Sequence, residues 1–337
     1  MQTITLTSSK EDIQKAGELL RQGKLVAIPT ETVYGLAADA LNGPAVARIF
    51  QAKGRPQDNP LIVHIADLAQ IKPLVTEFPA SAKKLAEAFW PGPLTMILPK
   101  SDRIPIETSG GLDTAGIRFP SHPVASAVIR AAGTPLAAPS ANLSGSPSPT
   151  TAYHVEKDLS GRIEAIVDGG PCTVGVESTV ITLATETPRI LRPGGITWEQ
   201  LQAVLGQVEV DHAVLHQLEQ GKKAASPGMK YKHYAPKARV ILLQGDHYVD
   251  FVNAHKEEGV AALCYQEDCP ILHVPSVSYG KAGDYYSQAR ELFDALRRLD
   301  EIGAKVVYAR CPAPQGVGMA VYNRLIRAAG FEVLRID

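Results

Sequence analysis

The feature that most limits what this chain can become is a rhythm that runs for about two hundred residues, stops, and then restarts on a shorter scale. Short apolar runs alternate with helix-period segments: "KLVAIPT", then "GPAVARIFQAKG", then "PLIVHIA", then "ASAKKLAEAFWPG". Apolar runs of strand length bounded by Pro or Gly read as buried strands, whereas apolar spacings of three and four that end on glycine read as helices. "LTMILPK", "TAGIRFP", "PLAAPSA", "IEAIVDGG", "ESTVITL" and "PRILRPGG" add strands, with "PVASAVIRAAG" as a further helix. The last strands follow each other with only loops between them, which predicts an α/β sheet that is mixed rather than purely parallel.

From Arg239 the alternation restarts with "RVILLQG", a helix near "YVDFVNAHKEEG", "VAALCYQ", the long helix "DYYSQARELFDALRRLDEIG", "KVVYAR", the helix "AVYNRLIRAAG" and "FEVLRID". This strand-helix-strand order predicts a small, doubly wound parallel sheet. No Gly-x-Gly-x-x-Gly turn follows its first strand, so no dinucleotide is assigned to it. The 337 residues exceed what one core usually supports. The expected division is a first domain over 1–207, a linker over 208–238 and a second domain over 239–337.

Lys and Arg number 34 against 35 acidic residues, a formal net charge of -1, so no whole-molecule field draws the chain to nucleic acid or an anionic membrane. Any anion site must be a local cluster. The N-terminal stretch lacks the basic start and apolar core of a secretion signal, and no run approaches the roughly 18 apolar residues that span a bilayer, so a cytoplasmic location is expected. Cys172, Cys264, Cys269 and Cys311 are too few and too scattered for a disulfide framework and are expected to be free thiols.

The polar residues that need explaining gather at predicted strand ends, the edge where open α/β sheets bind ligands. "PTETVYGLAADA" sets hydroxyls, Thr32 among them, at the end of a strand. Lys53, Gly54 and Arg55 follow a helix, with Pro56 and Asn59 just beyond. Two cations on a glycine turn can grip one polyphosphate, Lys as a point charge and Arg as a fork, or can simply complement a helix C-terminus. His64 lies in the otherwise apolar "LIVHIA" and Arg118 in "TAGIRFP". A buried imidazole can serve the backbone or a ligand, and a buried guanidinium needs an internal carboxylate or a ligand's. "APSANLSGSPSPT" brings Ser140, Asn142, Ser144, Ser146 and Ser148 into a donor-rich loop, "GVESTVITL" brings Ser178, and "ILRPGG" brings Arg192. The phosphate loop, His-Glu-x-x-His and Gly-x-Ser-x-Gly motifs are all absent.

Taken together, "PTETVYGLAADA", the "KGRP" turn, "NPLIVHI", "WPGPLTMIL", "IRFP", "APSANLSG" and "GVESTV" resemble the YrdC-type threonylcarbamoyl-AMP synthases. "SPGMKYKHYAP" and "GVGMAVYNRLIRAA" resemble the long, two-domain form of that family, so the resemblance covers nearly the whole chain. It implies a YrdC-like catalytic domain, an open, twisted mixed α/β sheet, that condenses L-threonine, bicarbonate and ATP into L-threonylcarbamoyladenylate and pyrophosphate, followed by a small Rossmann-like domain. The product would pass to the machinery that builds N6-threonylcarbamoyladenosine in tRNA, with direct tRNA binding left open.

The resemblance also implies residue roles. Lys53, Arg55, Asn59, Ser140, Asn142 and Ser148 would hold the triphosphate, and Thr114 and Arg192 would contact the nucleotide. Thr32, His64, Arg118 and Ser178 would hold threonine, with the backbone at Ala138 closing the pocket. Mg2+ is expected with ATP, its protein ligands unassigned.

The linker stretch "SPGMKYKHYAP" is too aromatic for a plain tether, and its prolines stiffen it. Lys230, Tyr231, Lys232, His233 and Tyr234 are therefore expected to fold over the pocket as a lid, with Tyr234 meeting the nucleotide. The rival reading is an RNA-binding module that uses a basic concavity without catalysis, which the near-neutral charge disfavours.

Overall fold

The computed structural model describes residues 2–57, 59–216 and 233–336. The first part of the chain runs β1 (Ile4–Leu6), α1 (Lys10–Arg21), β2 (Val26–Ile28), β3 (Gly35–Asp39), α2 (Gly43–Lys53) and β4 (Ile62–His64). It continues through α3 (Ala80–Phe89), β5 (Leu94–Pro99), α4 (Ile106–Ser109), β6 (Thr114–Arg118), α5 (Pro123–Ala132) and β7 (Leu136–Ala137). Then come α6 (Ala152–Leu159), β8 (Ala165–Val167), β9 (Thr179–Thr182), β10 (Arg189–Arg192), α7 (Trp198–Leu205) and β11 (Glu209–Val210). These strands form one eleven-stranded sheet in the order β1-β8-β2-β3-β7-β4-β6-β5-β9-β10-β11. Its pairings are mixed, as the loop-linked strands predicted: β4 runs parallel to β6, and β5 antiparallel to it.

The second part comprises β12 (Arg239–Gln244), α8 (Tyr248–Ala254), β13 (Val260–Cys264), β14 (Ser276–Ser278), α9 (Tyr285–Glu301), β15 (Val306–Arg310), α10 (Gly318–Ala328) and β16 (Val333–Arg335). Its sheet, ordered β14-β13-β15-β12-β16, is parallel throughout. The four cysteines are free thiols. Among the described residues no helix is long and apolar enough to cross a membrane.

Between the two sheets, the first extends past residue 207. β11 pairs with β10, Arg189 opposite Glu209, and Ala213 and Val214 are buried. Of the linker residues expected to form a lid, Lys230, Tyr231 and Lys232 lie outside the described residues, and His233 and Tyr234 lie within them.

The domains meet through α9 and α10. Val33 and Val176 of the first domain share one apolar cluster with Tyr234 and Phe293. Around it Arg297 of α9 pairs with Asp158 at 2.8 Å and donates to the Pro147 carbonyl at 2.6 Å. Gly175 shows how close the approach is. A Cβ there would lie 2.3 Å from the Arg290 Cα, and its φ of +83° already lies in the region that disfavours side chains.

Candidate active site

The site is built by strand ends and by one helix terminus. α2 starts on Asn42, whose side chain accepts from the Ala45 amide, and ends on Gly54 in the left-handed conformation at φ 63°. That stop makes Lys53 the last helical residue and sends Arg55 away from the helix axis. β4 and β6 run in register with His64 opposite Arg118, and Thr95 of β5 faces Arg118 from the other side. The buried turn after β2 supplies Glu31 and Thr32, and the residues just before β9 supply Glu177 and Ser178.

Most of these side chains line one cavity: Thr32, Lys53, Arg55, His64, Arg118, Glu177 and Ser178 do so with Ala138, Ser140 and Asn142 of the serine-rich loop, Arg192, His233 and Tyr234. Asn59 and Ser148 are buried but do not line it. Thr114 lines a smaller neighbouring cavity that shares Ile62 with the first. Thr114, Gly116 and Arg118 alternate onto one face of β6, so Thr114 sits about 13 Å along the strand from Arg118.

On one side of the main cavity, Arg118 settles the choice its sequence left open. Its guanidinium is 2.7 Å from Glu31 and donates to the Thr32 hydroxyl at 2.9 Å. The buried Nε of Arg118 has no hydrogen-bond partner, so the internal ion pair does not use all of its donors. His64 Nδ1 lies 3.1 Å from the Ile62 carbonyl, which fixes Nδ1 as the donor. Burial, assisted by Arg118, pulls the imidazole down to about 3, so it is neutral. The Ser178 hydroxyl sits 2.8 Å from that of Thr95 and accepts from Arg192 Nη2 at 3.1 Å.

Opposite, Lys53 and the serine-rich loop hold each other. Lys53 Nζ donates to the carbonyls of Ser140 and of Asn142, the latter at 2.7 Å, and the Ser144 amide donates back to the Lys53 carbonyl at 3.0 Å. Burial, then the neighbouring Arg55 charge, lowers the ammonium to about 7. The linker joins the same loop, because the Ala235 amide donates to the Gly145 carbonyl at 3.0 Å. Tyr234 adopts φ 65°, which costs a non-glycine residue about 1 kcal/mol. Its ring packs on Phe293, with centroids 5.3 Å apart, which offsets that strain.

Three charged residues escaped the sequence reading: Glu31, Glu177 and Arg324. Glu177 Oε2 accepts from Arg324 Nε at 2.8 Å, and its Oε1 accepts from the Ser148 hydroxyl at 2.6 Å. Burial raises the Glu177 carboxyl, but Arg324, Arg192 and Ser148 outweigh it and hold the group below its ordinary value. A usable signal existed for Arg324, because it lies four residues from both Ala320 and Ala328 on the apolar stripe of α10. A charge on such a stripe must find a partner.

The second domain has a wider cavity of about 660 Å3 at the carboxyl ends of β12 and β15, lined in part by Asp246, Tyr265, Arg310 and Tyr322. The Arg310 guanidinium is already paired with Asp268 and flanked by the Tyr248 and Tyr265 rings. The concentrated positive charge therefore belongs to the first cavity. No group of three or more His, Cys, Asp or Glu among the described residues could hold a metal ion. The carboxylates at the first cavity, Glu31 and Glu177, are both engaged by arginines.

A sheltered, cation-lined cavity at the strand ends of a mixed sheet, backed by a second parallel-sheet domain, defines a two-domain α/β protein built to hold a small anionic ligand. The chain belongs to the Sua5/YciO/YrdC family: the model described as "Telomere recombination" matches residues 18–194, and the one described as "Threonylcarbamoyl-AMP synthase, C-terminal domain" matches 196–330. Threonylcarbamoyl-AMP synthase of Bacillus subtilis is 47% identical, over 99% of this chain and 97% of its own. That of Schizosaccharomyces pombe is 39% identical over 97% and 90%. The structure of P. abyssi Sua5 complexed with L-threonine superposes with a TM-score of 0.91 at 43% identity, covering both chains fully. A doubly substituted form of P. abyssi Sua5 gives 0.93 at 42% identity, covering 99% of this chain and 98% of that one.

Proposed function

We propose that this chain is a threonylcarbamoyl-AMP synthase, and that it works as a nucleotidyltransferase joining L-threonine, bicarbonate and ATP. The observation that carries the reading is one cavity that gathers two unlike groups: Arg118, bonded to Thr32 and beside His64 and Ser178, makes one half, and Lys53, bonded to the serine-rich loop and beside Arg55, makes the other. The Arg118 guanidinium takes the threonine carboxylate, Ser178 and neutral His64 frame its polar groups, and the Ala138 backbone closes that side. Lys53, Arg55, Ser140 and Asn142 take the triphosphate, Arg192, bonded to Ser178, contacts the nucleotide, and the buried Asn59 and Ser148 support the phosphate side without lining the cavity. A role for Thr114 requires the nucleotide to reach the neighbouring cavity.

The chemistry needs no activated nucleophile from the protein. Threonine's amine and bicarbonate give an N-carboxylate and water, and a carboxylate oxygen then attacks the α-phosphorus while pyrophosphate leaves. Such a step depends on positioning and on neutralising the leaving group's charge, the work assigned to Lys53 and Arg55. The N-carboxylate loses CO2 readily in water, so shelter matters. The cavity as it stands leaves about 60 Å3, whereas small-molecule pockets run to roughly 300 Å3 or more. Substrate entry therefore requires the cavity to widen, and the lid reading assigns that movement to the wall carrying His233 and Tyr234. Mg2+, when present with ATP, would offset phosphate charge, and the carboxylates at the cavity, Glu31 and Glu177, are engaged by arginines rather than left to hold it. The unstable adenylate then goes to the tRNA threonylcarbamoyl transfer machinery.

The test follows pyrophosphate from purified protein with ATP and Mg2+. Release that requires both threonine and bicarbonate supports the reading. Silence there, with salt-sensitive RNA binding, overturns it in favour of an RNA-binding module. Replacing Lys53 and Arg55 together by alanine is expected to cut kcat/KM for ATP by about 100-fold or more; an unchanged value rejects the assigned phosphate grip.

A further inference from the structure

We infer that Arg324, carried into the first domain by the second, is a positioning residue for the nucleotide half of the cavity, acting through Glu177 on Ser148 and through the ring of Tyr234. The inference rests on the reading above that Lys53, Arg55 and Ser148 serve ATP.

Arg324 is fully buried, and its donors reach the first domain and its own helix. Nε donates to Glu177 at 2.8 Å, and Nη1 to the Pro193 carbonyl at 2.9 Å and the Asn323 side chain at 2.8 Å. Its Cζ lies 5.6 Å from the centre of the Tyr234 ring, a cation–π distance. Glu177 in turn accepts from Ser148 at 2.6 Å, so an unbroken chain of charge-assisted contacts joins α10 to the serine-rich loop.

Glu177 lines the cavity and Arg324 does not. A carboxylate on a wall shared with Lys53, Arg55 and Arg192 would compete with a triphosphate for those cations. Arg324 claims that carboxylate from behind, leaving the cations to the ligand and locking the Ser148 hydroxyl. Other contacts hold α10 in place independently. Asn323 Nδ2 donates to the Val214 carbonyl at 2.6 Å and Arg327 Nη2 to that of Ala213 at 2.7 Å. Loss of Arg324 therefore leaves the helix docked and releases Glu177 into the cavity.

The test compares full-length R324Q, R324K and the R324Q/E177Q double variant in the pyrophosphate assay. R324Q is expected to raise the KM for ATP about 30-fold, as for one partner of a buried charge pair, with the KM for threonine within about threefold. R324K, which restores the charge without the fork, is expected to fall between R324Q and the native protein. The double variant removes the competing charge, because glutamine can still accept from Ser148, and is expected to recover most of the ATP affinity. Should R324Q not fold, R324K against R324K/E177Q gives the same comparison. A lowered melting temperature with both KM values unchanged makes Arg324 merely structural and overturns the inference, as does a double variant no better than R324Q. The K53A/R55A variant separates the failures: if it keeps its ATP affinity, the phosphate reading itself is at fault, and if it loses that affinity while R324Q does not, only the role of Arg324 fails.

Discussion

Two buried carboxylate–guanidinium pairs flank the cavity, and they face it in opposite senses. In the Glu31–Arg118 pair both partners belong to the first domain, and the arginine lines the cavity with the carboxylate behind it. In the Glu177–Arg324 pair the carboxylate lines the cavity, and the arginine behind it comes from the second domain, 147 residues further along the chain. The first pair aims a cation at a ligand. The second cancels an anion that would repel one. On the proposed assignment, and among the described residues, the threonine half meets the second domain only through apolar packing at Val33 and Val176 and the Pro193 carbonyl, whereas the ATP half is tied to α10 by a buried ion pair.

Arg118→Ala tests the first pair and carries the largest expected effect. It removes the carboxylate-facing cation and strands Glu31, so kcat/KM for threonine is expected to fall by about 100-fold or more, with stability lower by roughly 3–5 kcal/mol. Steady-state kinetics and thermal melting measure both. If ATP affinity falls in step with threonine affinity, the division into two halves is wrong.

Next in size is a pH dependence confined to the ATP half. Burial and Arg55 hold Lys53 at about 7 in the protein, below its unfolded value of 10.5. Between those values the unfolded chain binds the extra proton, so this group's contribution to stability rises with pH from 7 to 10.5. ATP binding favours the charged ammonium and takes the proton up. The KM for ATP is therefore expected to rise as pH climbs from about 7 to about 9, approaching roughly tenfold per unit. Lys53→Arg, which stays charged, is expected to flatten that slope. A native slope that survives in the variant assigns the titration to another group.

What the sequence made legible follows the same line between local and distant. The Lys53–Gly54–Arg55 turn could be read because its cause is adjacent: a helix cap, a left-handed glycine and two cations. The parallel second sheet could be read from its alternation, since each apolar run sits beside the helix that covers it. β1 and β14 escaped because they are only partly buried and lack an apolar run, whereas β2, β4 and β8, equally short, are fully buried and could be read. β3, "GLAAD", is built of residues with poor strand propensity and is held by β2 and β7 on either side. α1 is mainly polar, yet its capping Ser9 and its stripe of Ile13, Ala16 and Leu20 were signals the sequence did offer. Glu31, Glu177 and Arg324 escaped for a different reason: a buried charge is legible only with its partner, and both partners lie far off in sequence. Thr114 was carried by resemblance alone, and strand geometry sets it in the adjoining cavity.

Gly175→Ala carries the smallest effect and makes the finest cut between the halves. The residue belongs to neither set of binding side chains, yet its missing Cβ lets the backbone of α9 approach. A methyl group 2.3 Å from the Arg290 Cα cannot be absorbed by a flexible side chain, because its neighbours are main chain. The helix must shift, and α10 packs on α9. The expected cost is about 1–3 kcal/mol, a fall of several degrees in melting temperature. With it, the KM for ATP is expected to rise a few-fold and that for threonine by less, because the ATP half is tied to the second domain by the Glu177–Arg324 ion pair and the threonine half by apolar packing. Equal loss on both substrates would mean that the interface supports the whole cavity, and the asymmetry between the two ion pairs would then have no kinetic meaning.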